Sequence, residues 1–402
     1  MRRGAAETST FHYNAAMNAC ATTEMWQSAL NLLSSMSDNR LERTIISFSS
    51  AIAACEGSNW ERAVRLLELS SKDRLRHNII IYNSTMNACA SATRWKVALC
   101  LLESCQRAEL SPTVVSCGSA ISACEKGGEW QLASFVFHSS REVAVFPNTI
   151  TYDAYISSGE KAGQWQLGIH LLHSMCRDKV ERIDVSFNAA ISACEKAGRW
   201  HFAVQTLGCM SCAVVAPDFI TFDSSISACE KGEQWGTAIQ LLKGMVNAKV
   251  ERIVISFNSA ISACEKGGQW LRALNVLRCG LPFAFLRPSV ISFNSAISAC
   301  EVCGCWQAAL KLLDVMPRAK LTPTAVTCSS AISACDKGER WNWALSFLDR
   351  WLTSLPTLPK ANEVTCRAAI NACIKGGLLV HALSILHQAK FAILRRLPEG
   401  QI

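Results

Sequence analysis

The sequence predicts an all-α solenoid of about eleven helix-turn-helix units, each about 35 residues long. Three observations carry this prediction. Tryptophans recur at Trp26, Trp60, Trp95, Trp130, Trp165, Trp200, Trp235, Trp270, Trp306 and Trp341, every interval being 34, 35 or 36 residues. Cysteines keep the same step at Cys20, Cys55, Cys89, Cys124, Cys194, Cys229, Cys264, Cys300, Cys335 and Cys373, with Gly159 in the slot of one unit. Within a unit, the apolar spacing fits two short helices.

The units start near residues 10, 45, 79, 114, 149, 184, 219, 254, 290, 325 and 363. They fill residues 10–397, leaving tails at 1–9 and 398–402. The eighth unit is representative. Phe257, Ile261 and Cys264 are spaced i, i+4, i+7 and share one helical face. Ser256 stands just before them as an N-cap. Gly267-Gly268 ends that helix. Trp270, Ala273, Leu274 and Leu277 then mark a second helix, with Ala273 small where helices approach. The phrase ISACEKGGQW that ends the first helix recurs nearly verbatim at Ile121, Ile191 and Ile226, so Ile261, Cys264 and Trp270 read as core. The eighth unit carries one extra residue near Leu281-Pro282, and the tenth is stretched by Trp351 to Lys360.

Composition narrows the functional classes. The chain has 402 residues, half of them apolar, and a net charge of +8, which permits an anionic partner without demanding one. Equivalent positions in stacked helices lie about 8–10 Å apart. A disulfide needs Cα atoms within about 7 Å. The cysteine ladder therefore reads as small, buried, reduced thiols, which suits a reducing compartment. Cys209 and Cys212 form a CxxC near His201, and Cys300, Cys303 and Cys305 cluster. Neither has a partner CxxC, so no metal or other cofactor is implied. A Glu repeated in every motif reads as a surface feature, and no phosphate loop, nucleophile elbow or zinc-deaminase signature is present. The chain reads as a non-enzyme. The window Leu378 to Leu394 is broken by His381, His387 and Lys390, so no membrane span is expected. Met1-Arg2-Arg3 is basic, but the stretch to Thr10 is too short for a transit peptide, so the chain reads as truncated or not imported.

Helical repeats of this length belong mainly to two families, tetratricopeptide and pentatricopeptide repeats. The modal period here is 35. Units open as in Ile255-Ser256-Phe257-Asn258 and Val185-Ser186-Phe187-Asn188. Several end in Pro and a small polar residue: Pro112-Thr113, Pro147-Asn148, Pro217-Asp218 and Pro323-Thr324. Over essentially the whole chain this resembles the pentatricopeptide pattern, of the type with no C-terminal catalytic domain. The departure is the Trp opening each second helix, where the family usually has Leu.

The resemblance implies a right-handed superhelix that binds single-stranded RNA, one base per repeat, and acts in RNA processing, editing, stabilisation or translation. It implies a plastid or mitochondrion, and partner enzymes recruited in trans. The alternative is a protein-binding scaffold of the tetratricopeptide kind. Carried onto this chain, the early base readers are Asn14, Ser49, Asn83, Gly118, Asp153, Asn188, Asp223, Asn258, Asn294 and Ser329. Their closing partners are Thr44, Asn78, Thr113, Asn148, Ile183, Asp218, Ile253, Ser289, Thr324 and Asn362. Residues sandwiching the base are Ile46, Ile80, Val115, Ile150, Val185, Ile220, Ile255, Ile291 and Val326. Asn188–Asp218 resembles a uridine reader, and Ser49–Asn78 and Ser329–Asn362 resemble adenine readers. Asn14–Thr44, Asn83–Thr113, Asn258–Ser289 and Asn294–Thr324 lean to pyrimidines. Asp153–Ile183 and Asp223–Ile253 fit no such pairing, and Arg367 in the last unit is atypical. Lys126, Lys161, Lys196, Lys231, Lys266, Lys337 and Lys375 share one position, where the family contacts phosphate. The alternative for them is to complement the helix C-terminus. Seven phosphate contacts would give a slope of log affinity against log salt of about −5.

Overall fold

The computed structural model describes residues 9–346 apart from 24, 40, 58, 74, 341 and 345. Trp341, the stretch Trp351 to Lys360, Asn362, Arg367, Cys373, Lys375 and the tail 398–402 lie outside the described residues. Among the described residues there are helices and turns but no strands. No described helix is long and apolar enough to cross a membrane.

The chain divides into two compact units, residues 1–193 and 194–402. Each is an α-solenoid segment, a stack of antiparallel helical hairpins. The first unit holds Thr10–Thr22 with Trp26–Asp38, Ile45–Ala53 with Trp60–Lys72, Ile79–Ser91 with Trp95–Arg107, Val114–Gly127 with Trp130–Glu142, and Thr149–Lys161 with Trp165–Arg177. It also holds most of the helix Asp184–Lys196. The second unit continues with Trp200–Cys212, then Phe219–Lys231 with Trp235–Asn247, Val254–Lys266 with its partner from Trp270, Val290–Val302 with Trp306–Arg318, and Ala325–Lys337.

Each described first helix from Ile45–Ala53 onward buries one apolar face. In the eighth hairpin Phe257, Ile261 and Cys264 are buried, and from the second helix Ala273, Leu274 and Leu277 meet them. The small residue in the second helix is needed. In the fifth hairpin Gly168 holds that place, and a Cβ there would stand 3.3 Å from the Ala190 backbone in the next first helix. The cysteine ladder lies in the same core. Cys55, Cys89, Cys124, Cys194, Cys229, Cys264, Cys300 and Cys335 are free, buried thiols. Burial pushes Cys124 and Cys264 up to about 11 and Cys300 to about 12, so they stay protonated and inert.

Two local expectations are corrected. Ser256 is not the N-cap. The helix begins at Val254, directly after Ile253, the closing residue of the previous hairpin, which takes up cap geometry, and Ser256 is buried inside the first turn. The repeated Trp is not a full core residue. It is half-buried and wedges against the turn of the following hairpin, so that a Cβ on Gly267 would stand 2.5 Å from the Trp235 ring and one on Gly338 would stand 2.7 Å from Trp306. Of the quoted glycine pair, then, Gly267 makes room and Gly268, at φ +65°, makes the turn. Finally, the place of the extra residue of the eighth unit is sharpened: a single π turn at Val276–Gly280, just before Leu281-Pro282, takes it up within the second helix.

Candidate nucleic-acid interface

The N-terminal turn of every first helix repeats one arrangement. The closing residue of the preceding unit becomes the N-cap. Thr44, Asn78, Thr113, Asn148, Asp218, Ser289 and Thr324 each accept a hydrogen bond from the backbone N–H three residues on. Ile253 makes no side-chain cap. In the sixth hairpin the Ile183 N–H instead donates to Ser186 Oγ at 3.4 Å. The next residue but one is aliphatic and points to solvent. Ile46, Ile80, Val115, Ile150, Val185, Ile220, Ile255, Ile291 and Val326 are all 45–73 % exposed. Three residues further, on the same side of the helix, stands the reader. Asn14, Ser49, Asn83, Gly118, Asp153, Asn188, Asp223, Asn258, Asn294 and Ser329 are each half-buried.

Reader and closing residue belong to successive hairpins, and stacking brings them together. Asn83 Nδ2 donates to Thr113 Oγ1 at 3.3 Å, and Asn294 Nδ2 to Thr324 Oγ1 at 3.4 Å. A third group joins them. In most described hairpins the side chain at the third helical position is a buried hydroxyl that donates back to the reader of the previous hairpin, whereas Ile81 holds that place in the third hairpin and the Thr151 hydroxyl turns to its own cap Asn148. Ser47 Oγ reaches Asn14 Oδ1 at 2.7 Å, Ser116 Oγ reaches Asn83 Oδ1 at 2.6 Å, and Ser292 Oγ reaches Asn258 Oδ1 at 2.5 Å. Thr327 Oγ1 does the same to Asn294 Oδ1 at 2.5 Å, and Ser186 and Ser256 donate to Asp153 and Asp223. Burial pushes the Asp153 and Asp223 carboxyls up, and these serine hydrogen bonds oppose the shift. Ser49 and Ser329 donate to carbonyls in their own helix, and a Cβ on Gly118 would stand 3.6 Å from Thr151 Oγ1, in ordinary van der Waals contact.

Two features were not read from the sequence. The hydroxyl passed for an N-cap, as at Ser256, because its distance to the previous reader is set by stacking rather than by local spacing. Phe11 occupies the exposed aliphatic position of the first hairpin and is 75 % exposed. Its aromatic ring hides it from a column defined by β-branched residues, which starts at Ile46.

The repeated lysines sit exposed eight residues beyond the readers, at the far end of the first helix. Most reach back to a carboxylate in the preceding hairpin: Lys161 to Glu125 at 3.2 Å, Lys231 to Glu195 at 3.2 Å, Lys266 to Glu230 at 3.0 Å and Lys337 to Glu301 at 3.3 Å. The carboxylates are half-buried and not simply surface groups. Glu160, Glu230 and Glu301 also accept from Ser192, Ser262 and Ser333 of the next hairpin, at 2.8, 3.0 and 2.8 Å. The phrase S-A-C-E-K therefore binds its own preceding copy. Lys196 is exposed at the same position. Lys126 differs. Ala90 stands where the carboxylate would be, and Lys126 has no ion pair among the described residues.

Comparison with known proteins gives the same architecture. No curated protein matches the chain in sequence. A solved chain of the pentatricopeptide repeat protein PPR10, in complex with an 18-nt psaJ RNA element, superposes with a TM-score of 0.51 at 16 % identity, covering 96 % of this chain and 60 % of that one. A cysteine-substituted form of PPR10 with the same element gives the same values. PPR10 from maize gives 0.45, again at 16 % identity, over 96 % of this chain and 64 % of the other. This chain thus spans less than two thirds of the length of the solved chains it matches. The sequence model of the pentatricopeptide repeat domain matches residues 100–159 and 285–337, and that of the single repeat matches 11–41, 185–213 and 255–279. With the 35-residue hairpins and the two unlike helices in each, these matches make the chain a member of the pentatricopeptide repeat family.

Proposed function

We propose that the chain binds single-stranded RNA along the N-terminal turns of its first helices, one base per hairpin. The observation that carries this reading is the column of exposed aliphatic side chains, each three residues from a half-buried polar group. Exposing nine β-branched side chains at equivalent positions is costly unless something covers them. A base is flat and apolar on its faces and polar at its edge. It fits a gap with an aliphatic wall and a hydrogen-bonding floor. The similarity in fold to RNA-bound PPR10 supports the same ligand class.

The pairings give the reading its detail. Ser49–Asn78 takes adenine, and the Asn readers closed by Thr or Ser take pyrimidines. Lysines beyond the readers meet the phosphates, Lys126 first among them. The role is to cover or remodel a transcript in a plastid or mitochondrion, with enzymes recruited in trans.

The test is selection from a randomised single-stranded RNA pool by the full chain at two salt concentrations. A motif with adenine facing the second hairpin, weakened by salt, is the expected result. Absence of RNA enrichment, with peptide or protein ligands captured instead, would favour a tetratricopeptide-like scaffold and sink this reading.

A further inference from the structure

Besides Ser49, Gly118 and Ser329, the readers are amides, at Asn14, Asn83, Asn188, Asn258 and Asn294, or carboxylates, at Asp153 and Asp223. The hydroxyl behind each has a fixed proton inventory. Ser116 Oγ accepts the Thr113 N–H at 3.0 Å and lies 3.1 Å from Thr113 Oγ1. Its acceptor side is therefore occupied from its own helix, and its one proton goes to Asn83 Oδ1. Thr327 accepts the Thr324 N–H at 2.9 Å, Ser292 the Ser289 N–H at 3.0 Å, and Ser47 the Thr44 N–H at 3.3 Å, each donating to the reader behind it. All four hydroxyl residues are fully buried, so water does not compete for the proton.

An amide whose oxygen is held this way must turn its NH2 outward. One N–H of Asn83 or Asn294 reaches the closing threonine, and the other is left for the gap. A carboxylate held by the same hydroxyl offers no donor. Ser186 and Ser256 occupy one oxygen of Asp153 and Asp223, and the second oxygen remains an acceptor. The sequence keeps the pairing. From Asn14 to Asn294, every Asn or Asp reader is followed by Ser or Thr at the third helical position of the next hairpin. Ile81 stands there behind Ser49, a reader whose own hydroxyl donates to the Ile46 carbonyl.

We infer that this buried hydroxyl is a positioning residue that sets the polarity of the base reader. It makes the Asn hairpins donors, suited to the acceptor-bearing edge of a pyrimidine. It makes the Asp153 and Asp223 hairpins acceptors, which take guanine, the base with two adjacent N–H donors on its Watson–Crick edge. Ile183 and Ile253 add no donor that would compete for that oxygen. This inference rests on the one-base-per-hairpin reading above.

The experiment is selection from a randomised single-stranded RNA pool by the full chain and by Asp153→Asn, Ser116→Ala and Ser116→Thr, with thermal unfolding of each. The wild type should enrich guanine at two sites two bases apart, facing Asp153 and Asp223. Asp153→Asn should convert one of these to a pyrimidine and leave the other. Ser116→Ala frees the Asn83 amide to flip, and the preference at its site should fall about tenfold while other sites hold. Ser116→Thr should restore it. A wild-type motif with no guanine facing the Asp hairpins would overturn the inference. So would a Ser116→Ala variant that binds more weakly or melts earlier but keeps the same base preference, since that is a structural effect alone. A wild type that selects no motif would instead remove the underlying one-base-per-hairpin reading.

Discussion

Lys266 Nζ stands 3.0 Å from Glu230 Oε1, a residue 36 positions earlier in the preceding hairpin. The same pairing recurs at Lys231–Glu195 and Lys337–Glu301. It is interrupted once in the second unit. Val302 occupies the place from which a lysine would reach Glu265. The Glu265 carboxylate has no ion pair or hydrogen bond among the described residues, and burial pushes it up to about 7, with Lys266 opposing and Glu230 and Glu301 adding to the shift.

A pH dependence follows. The folded-state value of Glu265 lies above the ordinary 4.5, so folding favours its protonated form. Its contribution is fully present below about 4.5 and is lost as pH rises through about 7. Glu265→Gln should therefore leave stability unchanged in acid and raise it at pH 8. Because the side chain keeps part of its surface in water, screening holds the gain to about 1 kcal/mol. Val302→Lys should give a similar gain at pH 8 by completing the ladder. Denaturant titrations at pH 5 and pH 8 check both, and a Glu265→Gln gain that is equal at the two pH values would refute the assignment.

Lys126 and Lys266 should behave differently as candidate phosphate contacts. Lys126 has no carboxylate to neutralise it, whereas Lys266 is paired. Lys126→Ala should reduce the slope of log affinity against log salt by about 0.7. Lys266→Ala should change the slope less and cost stability of up to about 1 kcal/mol, because Glu230 loses its partner. RNA titrations over a salt series, paired with unfolding curves, separate the two.

Trp200 and Gly232 are locked by shape. A Cβ on Gly232 would stand 2.2 Å from the edge of the Trp200 ring, although the backbone there, at φ −89°, accepts any residue. Gly232→Ala should cost about 1–3 kcal/mol through this overlap alone. Trp200→Leu, which restores the usual family residue, should recover most of the loss when the two changes are combined. The double-mutant cycle measures that coupling.

Glu233 takes the left-handed turn position, at φ +58°, where Gly128, Gly198 and Gly268 stand in other hairpins. Replacing it with glycine removes strain of roughly 1–2 kcal/mol, partly offset by backbone entropy. Glu233→Gly should raise stability by about 0.5–1 kcal/mol in thermal unfolding, with no change in RNA affinity.

Ile255 is 62 % exposed, so folding buries little of it. Ile255→Ser should leave the unfolding midpoint within error and weaken RNA binding by about tenfold. A fall in stability with unchanged affinity would show that the exposed column serves packing.

The period, the two helices and their buried faces were legible because each is written in local spacing. Phe257, Ile261 and Cys264 declare one helical face without help from any other hairpin. What was not legible depends on distance across the stack. Ser256 looks like a cap from its neighbours in sequence and becomes a donor to Asp223 only when two hairpins meet. Trp235 looks like core until Gly267 is placed against it. The sequence around Lys266 suggests a phosphate contact or a charge on its own helix end, whereas its partner is Glu230 of the preceding hairpin. The columns of candidate readers and exposed aliphatics came from likeness to a family, and Phe11 was missed because that likeness is weakest in the first hairpin.

The π turn at Val276–Gly280 has a consequence for the fidelity of any readout along the array. The eighth unit is one residue too long, yet Ser292 lies as close to Asn258 as Thr327 does to Asn294, both at 2.5 Å. The surplus is absorbed in the second helix, away from the readers, and does not propagate. A scale with one graduation too many would misnumber everything beyond it. This chain hides the extra mark on the back of the ruler, and insertions confined to second helices should be silent in the same way, whereas one between Asn258 and Lys266 should shift the frame.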